Sequence, residues 1–256
     1  MSIKTDKSFQ FRGKSFFSKG RVGLLKKIKS SLSRPNRENK TLLVFTPNPE
    51  QIMLAETDQE FNKFLLEGDI LVPDGVGLTI AAKMLGKNKV EQQIERIPGR
   101  LLVEDFIKLS IVEKYKILII GGRDYSQTGT VYINDFEISW DSGYQDVFNP
   151  TEDEEVALKK RIKLVQPDII FVAFGAPMQE KWLIQHREFL SQNNVRLGMA
   201  VGGTFDYLLG FAPSPPPWIS KMGFEWLFRL VTQPWRFKRQ LKLISFLGLV
   251  LEESGK

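Results

Sequence analysis

The chain has 256 residues, is 42% hydrophobic and 26% charged, and carries a net charge of +6, a globular composition that excludes a disordered or fibrous polypeptide. It has no cysteine and one histidine, His186, which excludes a disulfide framework, a thiolate or multi-histidine metal site and a cysteine nucleophile. Residues 1–40 hold 12 Lys/Arg against 2 Asp/Glu, residues 41–210 hold 17 against 25, and residues 211–256 hold 7 against 3. An acidic middle between two basic ends points to a polyanionic partner: nucleic acid, an anionic membrane surface or a phosphorylated substrate.

Phe9, Phe11 and Gly13 alternate like a short strand, and Ser18 to Leu32 reads as a helix with Val22, Leu25, Ile28 and Leu32 near one face. Ser31–Lys40 is polar, contains Pro35 and reads as a loop. Thr41–Phe45 is a buried strand that must end at Thr46-Pro47-Asn48-Pro49, because two prolines cannot continue it. A helix follows from about Glu50 to Glu56, and Asp58 is an N-cap for another through Leu66. Asp69–Val72 is a second strand, leading through Pro73-Asp74-Gly75-Val76-Gly77 into a helix to about Leu85.

Gly99 to Val112 is helical, and Lys116–Gly122 is a strand closed by two glycines. The pattern from Arg123 to Tyr132 assigns no element, and Phe136–Trp140 reads as a strand. Thr151 with Glu154 has capping-box spacing and opens a helix to about Val165. Asp168–Phe174 is a central strand followed by Gly175-Ala176-Pro177 and a helix from Met178 to Leu190. Arg196–Val201 is the last strand, ending at Gly202-Gly203-Thr204. Ser214-Pro215-Pro216-Pro217 breaks the chain, and the tail from Trp218 is helical, aromatic and basic.

The strands are continuous apolar runs separated by helices, the pattern of a parallel sheet covered on both faces. Four glycine-rich or polar junctions, at 46–49, 73–77, 121–124 and 175–180, follow strand carboxyl ends and are expected to line one crevice. No stretch reaches the roughly 18–20 apolar residues of a membrane span, and no signal peptide is legible, so a cytoplasmic location is expected. There is no P-loop, no Gly-x-Gly-x-x-Gly and no Asp-x-Asp pair after a strand, which argues against a nucleotidase, a dinucleotide binder and the usual divalent-ion site of a nucleotide-sugar enzyme.

Asp74 is the first candidate: from a rigid strand end its carboxylate can take a proton from an attacking hydroxyl, or it can cap the next helix. Thr46 and Asn48 offer a hydroxyl and an amide to a sugar or phosphate, or to turn backbone. Gln179 and Glu180 open a helix whose amide end could hold a phosphate; Glu180 equally suits a first-turn acid. Gly202 and Gly203 permit close backbone approach to a ligand or a tight turn. Arg96 could clamp a diphosphate or lie on the surface. His186 is expected to be structural or solvent-facing.

The segments Thr46-Pro47-Asn48, Leu71-Val72-Pro73-Asp74-Gly75-Val76-Gly77, Arg96-Ile97-Pro98-Gly99, Gly175 to Trp182, Val201 to Asp206 and Gly223 to Leu230 stand in one order and spacing. Together they resemble the WecG/TagA/CpsF glycosyltransferases, over about residues 9 to 245. The resemblance implies a Rossmann-like core (residues 1–210) with a helical, basic, membrane-proximal appendage (residues 211–256). It implies an inverting, metal-independent transferase without a cofactor. Such an enzyme moves N-acetylmannosamine or its uronate from a UDP donor to polyprenyl-diphosphate-linked N-acetylglucosamine at the inner membrane face. By position, Asp74 matches the general base and Thr46 stands beside it as a second catalytic residue. Thr46, Asn48, Arg96 and Gln179 match pocket residues, with Gly202 and Gly203 counted beside them as substrate-binding, and Arg96 and the tail arginines Arg229, Arg236 and Arg239 are available to stabilise the departing diphosphate. Self-association is a further implication; a nucleic-acid partner is not.

Three positions depart from the family pattern. Leu101 replaces an acid, Ser214 stands where an arginine is common, and Gln233-Pro234 replaces Glu-Pro. None touches Asp74, so a working enzyme with an altered donor or acceptor is expected, with a catalytically silent membrane-associated scaffold as the alternative.

Overall fold

The computed structural model describes residues 8–33, 40–85, 94–213, 216, 219, 225–232 and 237–255. Ser214, Pro215, Gln233, Pro234 and Arg236, and most of the expected 31–40 loop, lie outside the described residues.

Among the described residues, nine strands form one sheet. They are β1 (Ser8–Phe11), β2 (Lys14–Phe17), β3 (Leu42–Phe45), β4 (Ile70–Leu71), β5 (Ile117–Gly121), β6 (Thr130–Ile133), β7 (Phe136–Asp141), β8 (Ile169–Ala173) and β9 (Leu197–Ala200). Their order is β1-β2-β4-β3-β9-β8-β5-β7-β6. Every pairing is parallel except the two at the edges, β1 with β2 and β6 with β7. The expected mostly parallel sheet is therefore present, bordered on each side by an antiparallel hairpin.

Both hairpins turn on two residues with positive φ: Arg12 and Gly13 at +49° and +72°, Asn134 and Asp135 at +49° and +61°. Such turns match the twist of antiparallel strands. The single strand expected around Phe9 is thus a pair, and β6 occupies part of the stretch that sequence pattern left unassigned.

The helices are α1 (Gly20–Ser33), α2 (Pro49–Thr57), α3 (Gln59–Glu67), α4 (Val76–Leu85), α5 (Gly99–Glu113), α6 (Glu152–Val165), α7 (Met178–Gln185), α8 (Arg187–Gln192), α9 (Thr204–Leu208), α10 (Glu225–Thr232) and α11 (Phe237–Ser254). Two apolar layers cover the sheet. One buries Leu43, Phe45, Ile170 and Val172 under α2, α3, α4, α6 and α7. The other buries Leu42, Val44, Ile169 and Phe171 under α1 and α5. Alternate residues of β3 and β8 thus serve opposite layers, which is why these strands read as unbroken apolar runs.

Local signals set the helix starts. Asp58 accepts the Phe61 N–H at 2.9 Å and starts α3. Thr151 and Glu154 form the expected capping box at α6. Each such cap stabilises its helix by about 1 kcal/mol.

The helix expected from Met178 to Leu190 is interrupted at His186. The His186 ring stacks on Trp182 with centroids 4.3 Å apart, and its Nδ1 lies 2.9 Å from the Trp182 carbonyl that also accepts the His186 backbone N–H. Its Nε2 lies 2.6 Å from Glu155 Oε1. Drawn toward Glu155 and sharing the Trp182 carbonyl, His186 separates α7 from α8. It is structural, as expected.

α11 packs on α2 and α4. Phe246 is fully buried, with its ring edge-on to Phe11 at a centroid distance of 5.6 Å. A Cβ on Gly77 would sit 2.5 Å from Pro49 Cγ and 3.2 Å from Phe246, so glycine allows α4, α2 and the tail to meet. Phe246, which lies in the tail read from sequence as helical, aromatic and basic, is a core residue. At the hairpin turn, Arg12 pairs with Glu56 on α2 at 2.6 Å and with Glu253 on α11 at 3.2 Å. No described helix is long and apolar enough to cross a membrane.

Candidate active site

The carboxyl ends of β4, β3, β9, β8 and β5 lie side by side on one edge of the sheet, so all four predicted junctions border it. Backbone bonds lock the first two together. Val72 N–H donates to Phe45 O at 2.8 Å, and Asp74 N–H to Pro47 O at 3.3 Å. The returning segment after α4 joins them, with Ile97 N–H donating to Pro73 O at 3.1 Å. This brings Arg96, half-buried, alongside the Asp74 turn.

Asp74 is half-buried, and its Oδ2 accepts the Gly99 backbone N–H at 3.3 Å. The sequence left open a cap on the next helix; the carboxylate meets the first residue of α5. The amino end of a helix favours negative charge, so a carboxylate is well placed there. Gly99 is also the meeting point of the two predicted catalytic residues. A Cβ at Gly99 would lie 3.0 Å from Thr46 Oγ1 and 3.6 Å from Asp74 Oδ2. The bare glycine leaves both oxygens beside one helix end, an arrangement suited to receive and deprotonate a hydroxyl.

Asn48 is engaged in the turn. Its Oδ1 accepts the Gln51 N–H at 3.0 Å, while its own N–H donates to Gln51 Oε1 at 3.1 Å. This capping box starts α2. Gln179 is buried, and its Oε1 accepts the Gly202 N–H at 2.9 Å. That bond joins the ends of β8 and β9. Gly203 follows, 3.3 Å in Cβ terms from Asp206 Oδ2. Asp206 accepts the Tyr125 hydroxyl at 2.8 Å and lies 3.4 Å from Arg123. Burial, then the bond to Asp206, pushes the Tyr125 hydroxyl well above its ordinary range.

Thr46, Asn48, Asp74, Arg96, Gln179, Gly202 and Gly203 are therefore all on the same sheet edge. Arg229 lies on α10 and Arg239 in the first turn of α11; Arg236 lies outside the described residues. Sequence reasoning missed Gln51, Tyr125 and the coupling through Glu180. The spacing Asn48-x-x-Gln51 matches a capping box and was the available signal for the first.

Among the described residues, no group of three or more His, Asp or Glu is disposed to hold a metal ion. A cavity of about 500 Å³ lies on the other side of α7, lined by Tyr144, Phe148, Phe174, Lys181, Trp182 and His186 among others. None of the described predicted site residues lines it. Beside it, burial pushes the Glu155 carboxyl up, but hydrogen bonds from Lys159, Tyr144 and His186 outweigh this and hold it at about 2. Glu155 and His186 hold α6 against α7.

The profile of the Glycosyl transferase WecG/TagA/CpsF family matches residues 19–256. The N-acetylglucosaminyldiphosphoundecaprenol N-acetyl-beta-D-mannosaminyltransferase of Bacillus subtilis (strain 168) is 27% identical over 213 residues, covering 82% of this chain and 79% of the relative. The protein of the same name from Staphylococcus aureus (strain NCTC 8325 / PS 47) is 29% identical over 215 residues, with the same coverage.

Proposed function

The chain belongs to the WecG/TagA/CpsF glycosyltransferase family, and we propose that it transfers N-acetylmannosamine from a UDP donor to undecaprenyl-diphosphate-linked N-acetylglucosamine. The observation that carries this reading is the convergence of the Asp74 carboxylate and the Thr46 hydroxyl on Gly99. The donor and acceptor classes come from the names of the relatives.

In this mechanism the acceptor sugar hydroxyl enters beside Asp74, which takes its proton. The oxygen attacks the anomeric carbon of the donor, and the bond to the UDP diphosphate breaks with inversion. Thr46 orients the reacting groups. Negative charge grows on the departing diphosphate and needs positively charged or N–H partners. Arg96, on the segment beside Asp74, and the tail arginines Arg229, Arg236 and Arg239 supply it. Asn48, Gln179, Gly202 and Gly203 shape the donor pocket.

The tail supports work at the inner face of a membrane. Leu227, Val231, Ile244, Leu247 and Leu251 are exposed on α10 and α11, and the same tail is basic. Exposed apolar residues beside cationic ones suit an anionic bilayer surface.

The deciding experiment is a donor screen against a short-chain polyprenyl-diphosphate N-acetylglucosamine, read by mass spectrometry. Transfer from UDP-N-acetylmannosamine, with release of UDP, is the expected result. Transfer from the uronate alone would reassign the donor, in keeping with Leu101 in place of an acid. Binding to anionic vesicles with no turnover of any UDP-sugar would identify a silent scaffold.

A further inference from the structure

Glu180 follows Gln179 in the first turn of α7, and it is 1% exposed. A first-turn acid usually faces water; this one faces inward. Its Oε1 accepts two side-chain N–H bonds, from Gln179 Nε2 at 2.9 Å and from Gln51 Nε2 at 3.1 Å. Gln179 then holds the Gly202 N–H through its Oε1. Gln51 exchanges its two bonds with Asn48. One carboxyl therefore links the segments that follow β3, β8 and β9.

The chemistry of the two amides makes the carboxyl decisive. An amide side chain has an accepting end and a donating end. Each of these uses its accepting end on a backbone N–H of a strand-end loop. The donating ends both point at Glu180. We infer that Glu180 is a positioning residue of the transfer reaction, fixing the Gln51 and Gln179 amides and through them the Asn48 and Gly202 loops that hold the donor. This rests on the proposed transferase reading.

The remaining oxygen, Oε2, is buried without a hydrogen-bond partner. Burial is the largest influence on the group and pushes its carboxyl up to about 7; bonds from Gln179, its own backbone and Gln51 oppose it. Below about pH 7 such a carboxyl is mainly protonated and then resembles glutamine in charge as well as shape. Glu180→Gln is therefore the conservative variant, and Glu180→Leu removes the acceptor at constant bulk.

The test combines UDP calorimetry, donor kinetics and nuclear magnetic resonance. For Glu180→Leu, the UDP Kd and donor KM are expected to rise roughly ten- to hundredfold, the scale of stranding buried donors. The acceptor KM stays near wild type. Glu180→Gln should restore donor binding to within about threefold of wild type. In the wild-type protein, the side-chain amide signals of Gln51 and Gln179 should shift with the titration of the Glu180 carboxyl carbon. That measurement decides the matter if Glu180→Leu does not fold. Wild-type donor kinetics in Glu180→Leu, or amide signals indifferent to the Glu180 titration, would overturn the inference. Absence of UDP binding by the wild-type protein would instead sink the transferase reading, and the donor role with it.

Discussion

The Asp74 carboxylate accepts the Gly99 backbone N–H at 3.3 Å, from a residue 25 positions further along the chain. A strand end and a helix start thereby share one acid. Asparagine can keep that bond through its Oδ1 but cannot take a proton. Asp74→Asn should lower kcat by about 10²- to 10⁴-fold, the usual contribution of a general base, with the melting temperature and UDP affinity little changed. Near-wild-type turnover would remove Asp74 from the proton transfer.

Gly99 is predicted to tolerate no side chain for a chemical reason. A methyl group there would crowd Thr46 Oγ1 at 3.0 Å and approach Asp74 Oδ2. Gly99→Ala should therefore reduce kcat/KM at least about tenfold while stability changes by only about 1 kcal/mol. Steady-state rates beside a thermal melt separate the two effects. A large fall in stability with unchanged activity of the folded fraction would contradict the assignment.

Glu180 should give stability a slope opposite to that of most carboxyls. Its folded value, about 7, lies above the ordinary 4.5, so the folded state holds the proton more tightly. Its contribution is full below about pH 4.5, declines as pH rises toward about 7, and is level above that. The wild-type protein should lose roughly 3 kcal/mol at most relative to Glu180→Gln across that window. Urea unfolding at several pH values measures the difference. A difference that stays flat between about pH 4.5 and 7 would show that the folded state does not hold the Glu180 proton more tightly.

Phe246 is predicted to hold the tail to the core. Phe246→Ala empties a site lined by Phe11 and the Gly77 turn and should cost about 3–5 kcal/mol. Denaturant unfolding gives the number directly. A loss under about 1 kcal/mol would mean that α11 is not docked on the core in solution.

Much of the frame was legible before any coordinates. β5 and β8 are buried on both faces, so unbroken runs such as Ile169–Ala173 announce them. Asp58 and Thr151 announce their helices because capping is local. Thr46 and Asp74 could be picked because prolines and glycines mark strand ends. The relationships that escaped are tertiary. Nothing near Gln51 in the sequence indicates that it meets Glu180, 129 residues away. The break at His186 needs Glu155 from α6. Phe246 has the surroundings of a surface aromatic until Phe11 is placed against it. The Asn134-Asp135 turn is a hairpin signal, but β6 is short and half-exposed and so has little apolar pattern to accompany it.

Arg12 pairs with Glu252 and Glu253 across 240 and 241 residues, and the Phe11 ring meets Phe246 beside it. Contacts of such sequence separation close late and slowly. On the ribosome, β1 and β2 emerge early but cannot gain their final covering until residue 246 has left the exit tunnel. The crevice-forming strands are all made before then, so an incomplete chain leaves bare the apolar surface of Phe11, α2 and α4 that α11 covers. Premature termination within the tail is therefore expected to expose apolar surface that favours aggregation.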